Sequence, residues 1–388
     1  MIELLAKKWI PDYENVQSTE VRTAYGTLCS IVGVVLNLLL CAGKLAAGLL
    51  SGSVAIVADA LNNLSDAGSS IVTLLGFKLA GKKPDADHPF GHGRMEYLSA
   101  LAVSVLILMM GFEMFKTSFT KIRFPEPIVF NWVSVGVLLA SIAVKFYMSA
   151  YNRRIGEKIH SAAMTATAVD SLSDCVSTVA VLIATVVGGF TPLQIDGYAG
   201  LVVACFILFA GYNAARDTIS PLLGQAPDEE VVHTIHSVVL EYPHIVGIHD
   251  LIVHDYGPGR LMVTLHAEVP AHMDMLTIHD EVDNAEQELR NVLNCEATIH
   301  MDPIVTNDPR VAVMRAEVEK LVKLIDERIT IHDFRIVPGE SHTNVLFDAV
   351  LPMDCELDES EAKAEIARLV HTMEGNCFAV VQIDRSYV

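Results

Sequence analysis

The stretch SVAIVADALNNLSDAGSS, residues 53–70, decides how the rest of the chain is interpreted. It belongs to a mostly apolar segment, 53–79, that is long enough to cross a bilayer, which takes about 20 residues. Asn62 and Asp66 are four residues apart, so they share one face of the predicted helix. Ionisable residues inside a membrane are costly and therefore indicate a functional site.

A second stretch, SAAMTATAVDSLSDCVST (161–178), repeats this pattern with Asp170 and Asp174. Two helices that each offer two oxygen-bearing side chains can enclose a cation with four ligands. Three carboxylates in one place repel one another unless a cation or protons neutralise them. The two pairs therefore indicate a carrier that couples a divalent cation to protons. The alternative, that these side chains only pack between helices or line a wet crevice, is weaker for two matched pairs than for a single residue.

Six membrane spans are predicted, and a hydrophobic content of 52% supports this class of protein. The spans are 25–49, 53–79, 96–119, 127–150, 162–188 and 195–216. An even number of spans places both termini on one side of the bilayer. Most lysines and arginines of the apolar part flank that same side, so the positive-inside rule predicts cytoplasmic termini. We expect a multi-pass protein of the inner (plasma) membrane.

The charge divides the chain at Gln225. From there to the end lie 31 acidic and 11 basic residues, which leaves 16 of the 47 acidic and 16 of the 27 basic residues before it. The first part is neutral and apolar, and the second is acidic and soluble. An acidic domain is a poor partner for nucleic acid. The seven cysteines are odd in number and form no CxxC, which indicates reduced packing residues.

The acidic part contains an internal repeat, in which GIHDLIVHDYGPGRLMVTLHAEVP (247–270) resembles TIHDFRIVPGESHTNVLFDAVLP (330–352). Alternating apolar residues predict strands, and helical stretches flank each copy. The predicted fold class is an α-helical membrane protein with six transmembrane helices, followed by two tandem α+β ferredoxin-like (αββαβ) cytoplasmic domains. The predicted boundaries are 1–24 for a cytoplasmic N-terminal segment, 25–220 for the transmembrane domain, 225–304 for the first repeat and 308–388 for a second, degenerate repeat.

The stretches SVAIVADALNNLSDA, DADHPFGHGRMEYLSAL (85–101) and TAVDSLSD (167–174) together resemble the cation diffusion facilitator family, over about residues 10–302. The resemblance implies a homodimeric divalent-metal/proton antiporter with six spans and a cytoplasmic αββαβ domain. It also implies a transport site formed by Asn62, Asp66, Asp170 and Asp174.

The expected substrate is Mn²⁺, exported from the cytoplasm by alternating access. Zinc-type members of the family commonly carry a histidine in one of the two pairs, whereas all four positions here offer oxygen. Oxygen ligands suit Mn²⁺, while imidazole suits Zn²⁺, and the Asn/Asp and Asp/Asp combination resembles the manganese-type branch. Zn²⁺, Fe²⁺ and Co²⁺ remain alternative substrates.

Two further metal sites are predicted outside the spans. In the loop after the second span, Asp85, His88 and His92 have metal-ligand spacing, although Gly91 and Gly93 also fit a plain turn. In the first repeat, the resemblance implies a cytoplasmic site, which suits Zn²⁺, formed by His249, His266, His279, His300 and Asp302. The second repeat retains only His332 and Asp384, with Asp348 in place of His266 and Gln382 in place of His300, so we expect scattered ligands and a structural or regulatory role.

Two rival functions remain. A membrane-embedded metalloenzyme would need a motif such as HExxH or a nucleophile–base pair, and the sequence contains neither, so no enzymatic activity and no catalytic cofactor are expected. A non-transporting metal receptor would have no use for the paired carboxylates inside the membrane. Metal flux into sealed vesicles distinguishes these classes.

Overall fold

The computed structural model describes residues 2–16, 18–51, 54–124, 132–191, 195–306, 308–339 and 341–386. The chain divides into two compact units. The first unit comprises 1–225 together with 255–260, and the second comprises 226–254 and 261–388.

The described part of the first unit is helical. Its elements are α1 (Ile2–Trp9), α2 (Thr19–Ser51), α3 (Val54–Ala80), α4 (Met95–Arg123), α5 (Trp132–Lys158), α6 (Ala162–Phe190) and α7 (Asp196–Leu223). The start of α6 is fixed by Ser161, whose side chain accepts a hydrogen bond from the Met164 amide, as an N-cap residue does. The end of α7 is followed by Gly224 in the left-handed conformation, which glycine adopts without a Cβ clash.

Long helices of the first unit pack closely against one another. α2 packs on α3, α5 on α6 and α4 on α7. At the last contact, a Cβ on Gly111 would lie 3.1 Å from the Ile207 side chain, and one on Gly211 would lie 3.1 Å from Ile107. Small residues at such crossings let helix backbones approach closely, as is common in membranes.

Five helices within the described residues are long and apolar enough to cross a membrane. Their spans are Thr19–Ala47, Met95–Arg123, Trp132–Lys158, Ala162–Val187 and Gly197–Leu223. The predicted span 53–79 falls on α3, part of which lies outside the described side chains, so the number six stays a prediction. Residues 52–53, 127–131 and 307, which belong to a predicted turn, a span start and the inter-repeat linker, lie outside the described residues.

The second unit contains two copies of one element order, helix–strand–strand–helix–strand. The first copy consists of α8 (Glu229–Val239), β1 (Gly247–Asp255), β2 (Leu261–Pro270), α9 (Met275–Leu293) and β3 (Cys295–Ile304). The second consists of α10 (Pro309–Val322), β4 (Thr330–Pro338), β5 (Thr343–Pro352), α11 (Glu359–Val370) and β6 (Cys377–Ser386). Each copy has a three-stranded sheet, in the orders β1-β2-β3 and β4-β5-β6.

The sheets bury alternate residues of their central strands, as period-two patterning requires. The buried apolar side chains of β2 are Val263, Leu265, Ala267 and Val269, and those of β5 are Val345, Phe347, Ala349 and Leu351. The parallel pairings β2–β3 and β5–β6 put His266 opposite His300 and Asp348 opposite Gln382. In the first strand of each copy an aspartate with a φ of 50°, Asp250 or Asp333, follows the histidine. The two copies therefore share local backbone detail as well as element order.

Candidate functional site

A cluster of buried polar side chains lies between the helices of the first unit. We call it the membrane cluster, and it consists of Asn63, Asp66, Ser69, Lys145, Asp170 and Asp174. Lys145 on α5 places its Nζ 2.7 Å from Asp66 Oδ2 and 2.6 Å from Asp174 Oδ2. Its ammonium therefore bridges a carboxylate of α3 and a carboxylate of α6.

Asp170 joins the membrane cluster through α3. The Ser69 hydroxyl donates a hydrogen bond of 2.8 Å to Asp170 Oδ2. Among the described residues, the three aspartates do not form a group whose ligand atoms all lie within 4.8 Å of one another. The carboxylates are thus held together through an ammonium and a hydroxyl, as expected for like charges that cannot approach unaided.

The asparagine of the cluster is not the predicted one. Asn62 is exposed, whereas Asn63 is buried and its Nδ2 donates a hydrogen bond of 3.2 Å to Asp66 Oδ2. Residues three and four positions away both neighbour a given residue on a helix, so spacing alone does not decide between two adjacent asparagines. The structure brings Asn63, not Asn62, to Asp66.

Lys145 is not among the site residues predicted from the sequence, although its position indicates a functional role. It falls inside the predicted span 127–150, where an ionisable residue indicates a functional site. With a side-chain exposure of 3%, it lies as deep as the aspartates it contacts.

The loop between α3 and α4 brings together the three residues predicted there. We call Asp85, His88 and His92 the loop trio, and one potential ligand atom from each lies within 4.8 Å of the others. Asp85 Oδ1 is 3.5 Å from His88 Nδ1 and Asp85 Oδ2 is 3.6 Å from His92 Nε2. A hydrogen bond from Lys82 and another from the His88 backbone hold the pKa of Asp85 below its usual range. The trio has the donor set for a divalent metal.

The segment 255–260 packs on this loop within the first unit. Arg94 donates two hydrogen bonds, of 3.0 and 2.8 Å, to the Asp255 carbonyl, and the Tyr97 hydroxyl donates one of 2.6 Å to Asp255 Oδ2. A Cβ on Gly257, which has a φ of 114°, would overlap the Gly93 backbone. The glycines of the loop thus permit a close backbone contact in addition to a turn.

In the first repeat, the structure brings three of the five predicted ligands into one group. We call His249, His266 and Asp302 the first-repeat set, whose ligand atoms lie within 4.8 Å of one another. Asp302 Oδ2 is 3.1 Å from His249 Nε2 and 2.9 Å from His266 Nδ1. His300 lies at the edge of the set, with Nε2 3.4 Å from Asp302 Oδ1. His279 is exposed on α9 and, within the described residues, belongs to no such group.

The donor set of the first repeat fits a metal ion. Both ring nitrogens of His249 are buried and make no well-aligned hydrogen bond among the described residues, although Asp302 Oδ2 lies 3.1 Å from Nε2. A buried polar group without a partner is unusual and calls for an explanation such as an ion. Imidazole and carboxylate donors together suit transition metals such as Zn²⁺.

Comparison with known proteins identifies the family of the chain. Residues 30–223 match the family described as the cation efflux transmembrane domain, and residues 227–304 match the cytoplasmic domain of cation efflux proteins. The uncharacterized transporter MJ0449 of Methanocaldococcus jannaschii is 32% identical over 70% of this chain and 96% of its own length.

Two bacterial relatives carry a more specific description. The cation-efflux pump FieF of Shigella boydii is 28% identical over 72% of this chain and 94% of its own length. The pump of the same name from Yersinia pestis is 27% identical over 65% of this chain and 84% of its own length. The resemblance predicted from the sequence is confirmed: the chain belongs to the cation efflux, or cation diffusion facilitator, family of multi-pass membrane transporters, which carry divalent metal ions and are not enzymes.

Proposed function

We propose that this transporter exports Mn²⁺ from the cytoplasm in exchange for protons, and that the membrane cluster is its transport site. The observation that supports this most strongly is Lys145, whose ammonium contacts Asp66 and Asp174 inside the helical unit. Carboxylates that hold one cation between two helices have the charge and the position needed to hold another.

The exchange follows from charge balance in a medium of low dielectric. Three buried carboxylates and one ammonium leave a deficit of positive charge that protons or a metal can supply. A divalent ion that takes the oxygens of Asp66 and Asp174 must separate them from Lys145. When the metal leaves on the far side, protons and the Lys145 ammonium again neutralise the carboxylates. Metal export and proton entry are therefore alternatives at one site.

The donor atoms of the membrane cluster favour a hard cation. Carboxylate, amide and hydroxyl oxygens surround the position, and its described members include no histidine or cysteine. Such oxygen donors suit Mn²⁺ better than Zn²⁺, which favours imidazole and thiolate. Zn²⁺, Fe²⁺ and Co²⁺ are the competing substrates.

The remaining parts of the proposal concern orientation and assembly. The transporter lies in the inner membrane with both termini on the cytoplasmic side, because the positive residues of the loops accumulate on that side. The transporter acts as a homodimer by alternating access. The loop trio and the first-repeat set bind resident metal on the cytoplasmic side.

A metal receptor that does not transport is the alternative. It would use the first-repeat set alone, so it offers no role for Lys145 and its two aspartates. Ionisable groups buried in a membrane domain are expensive to keep. The membrane cluster therefore favours transport.

The adjacent asparagines provide the test, with one residue as the control for the other. In proteoliposomes with a pH gradient, Asn63→Ala should reduce Mn²⁺ flux, because it removes the amide bonded to Asp66. Asn62→Ala should leave the flux close to wild type, because that side chain is exposed. A loss of flux in Asn62→Ala with normal flux in Asn63→Ala would show that Asn62, and not Asn63, belongs to the transport site. Absence of flux in the wild type would support the receptor.

A further inference from the structure

The second repeat brings together ligand-type residues that lie far apart in the sequence. His332 on β4 and Asp348 on β5 are direct partners in the antiparallel pairing. Asp384 on β6 pairs with Val350, two residues beyond Asp348. We call these residues the second-repeat set, and their ligand atoms all lie within 4.8 Å of one another. Strand pairing, which a sequence does not display, produces this group.

His332 is buried without the hydrogen bonds that a buried imidazole requires. Its exposure is 6%, and within the described residues neither ring nitrogen has a hydrogen-bond partner. Asp384 Oδ2 is also buried and unpartnered there, and it lies 3.9 Å from His332 Nε2. A buried donor or acceptor that makes no hydrogen bond destabilises the fold, so the set needs an explanation that packing does not give.

The second-repeat set adjoins the first-repeat set inside the second unit. The rings of His249 and His332 stack with centroids 3.8 Å apart and an interplanar angle of 21°. Asp250 lies between them, with Oδ2 3.4 Å from His249 Nδ1 and Oδ1 3.8 Å from His332 Nε2. His249, Asp250 and His332 form a further group of ligand atoms within 4.8 Å.

Members of both sets line one cavity of about 1000 Å³, to which the two repeats contribute: His249 and His266 of the first-repeat set, and His332 and Asp384 of the second-repeat set. Glu268 of the first repeat accepts a hydrogen bond from the Asp333 amide and lies 3.5 Å from Arg315 of the second. This buried contact fixes the register in which His249 meets His332, because Asp333 is adjacent to His332.

Electrostatics also favour a cation at the second-repeat set. Asp348 and Asp384 each place a ligand atom within 4.8 Å of His332, and Asp250 Oδ1 lies 3.8 Å from His332 Nε2. Three carboxylates are therefore crowded around one buried imidazole, and a divalent ion relieves the crowding.

We propose that His332, Asp348 and Asp384 bind a second divalent cation beside the one held by His249, His266 and Asp302, with Asp250 between the two ions. The junction of the two repeats is then a two-metal centre built within one chain. One imidazole and two carboxylates suit Mn²⁺, Fe²⁺ or Zn²⁺. This centre is independent of which metal the membrane cluster transports.

Metal stoichiometry of the full-length protein in detergent tests the proposal. The site variant is His332→Gln with Asp348→Asn and Asp384→Asn, which keeps side-chain volume and removes the ligands. The control variant is His342→Gln with Asp354→Asn, which changes a half-buried histidine and an exposed aspartate of the same repeat. After equilibration with Mn²⁺ and gel filtration, the site variant should retain one ion per chain fewer than the control. Equal stoichiometry in the two variants would overturn the proposal.

A second measurement tests the proposal without requiring the triple variant to fold. Electron paramagnetic resonance of the Mn²⁺-loaded wild-type protein should show the spin coupling of two neighbouring ions. The single change Asp348→Asn, at a half-buried position, should remove that coupling and leave the signal of an isolated ion. A wild-type spectrum with isolated ions only, at saturating Mn²⁺, would also overturn the two-metal centre.

Discussion

Replacement of Lys145 by methionine should increase the affinity of the membrane cluster for Mn²⁺. In the structure the Lys145 ammonium makes hydrogen bonds of 2.7 and 2.6 Å to Asp66 and Asp174. Hydrogen bonds to charged groups contribute about 1.5–3 kcal/mol each, so a metal that takes both carboxylates must displace roughly 3–6 kcal/mol of interaction. Release of even about 1.4 kcal/mol corresponds to a tenfold change in affinity, so we expect the Lys145→Met variant to bind Mn²⁺ at least about tenfold more tightly.

The same change should slow transport. Without the ammonium, the carboxylates lose the group that replaces the metal when it leaves, so the bound ion is held longer. Calorimetric titration of the detergent-purified protein with Mn²⁺ measures the affinity, and Mn²⁺ flux in proteoliposomes measures the transport rate. Lys145→Arg keeps the charge and serves as the control. Unchanged or weaker binding in a well-folded Lys145→Met protein would show that the lysine does not compete with the metal.

Three other changes test separate parts of the structure. Asp170→His introduces an imidazole into the membrane cluster and should raise Zn²⁺ flux relative to Mn²⁺ in the same vesicles; an unchanged ratio would mean that selectivity is set elsewhere. Gly257→Ala should weaken metal binding at the loop trio, because its Cβ would overlap Gly93. Gly224→Ala, at another positive φ, meets nothing within 4 Å and should leave that binding unchanged. Equal binding in the two variants would show that the Gly257–Gly93 contact does not support the loop trio. Truncation after Pro303 should preserve Mn²⁺ flux and remove one bound ion per chain, and loss of all flux in a folded, inserted protein would assign the second repeat an essential role.

Helical spacing in the sequence predicts part of the site and leaves the rest open. The pair Asp170 and Asp174 was identified because the spacing of four residues needs no tertiary information. The choice between Asn62 and Asn63 depends on the rotation of α3 against α6, which only packing sets. The position of Lys145 inside a predicted span indicates a functional residue, but its partners lie on two other helices and cannot be identified from spacing.

The soluble repeats show the same division between local and long-range information. The αββαβ pattern follows from alternating apolar residues, which a sequence displays directly. The grouping of His332, Asp348 and Asp384 depends on the pairing of three strands, and its meeting with His249 depends on how the repeats pack. His279 was expected from the family resemblance, and the structure leaves it exposed on α9.

Proton-driven Mn²⁺ flux in proteoliposomes measures the proposed exchange most directly. Vesicles containing the purified wild-type protein, a Mn²⁺-sensitive dye and a pH-sensitive dye should take up Mn²⁺ and release protons together, and collapse of the pH gradient should stop the uptake. Asp174→Ala, which removes one carboxylate bound to Lys145, should abolish both signals. Mn²⁺ uptake that continues without proton movement, or that survives in Asp174→Ala, would contradict metal–proton exchange at the membrane cluster.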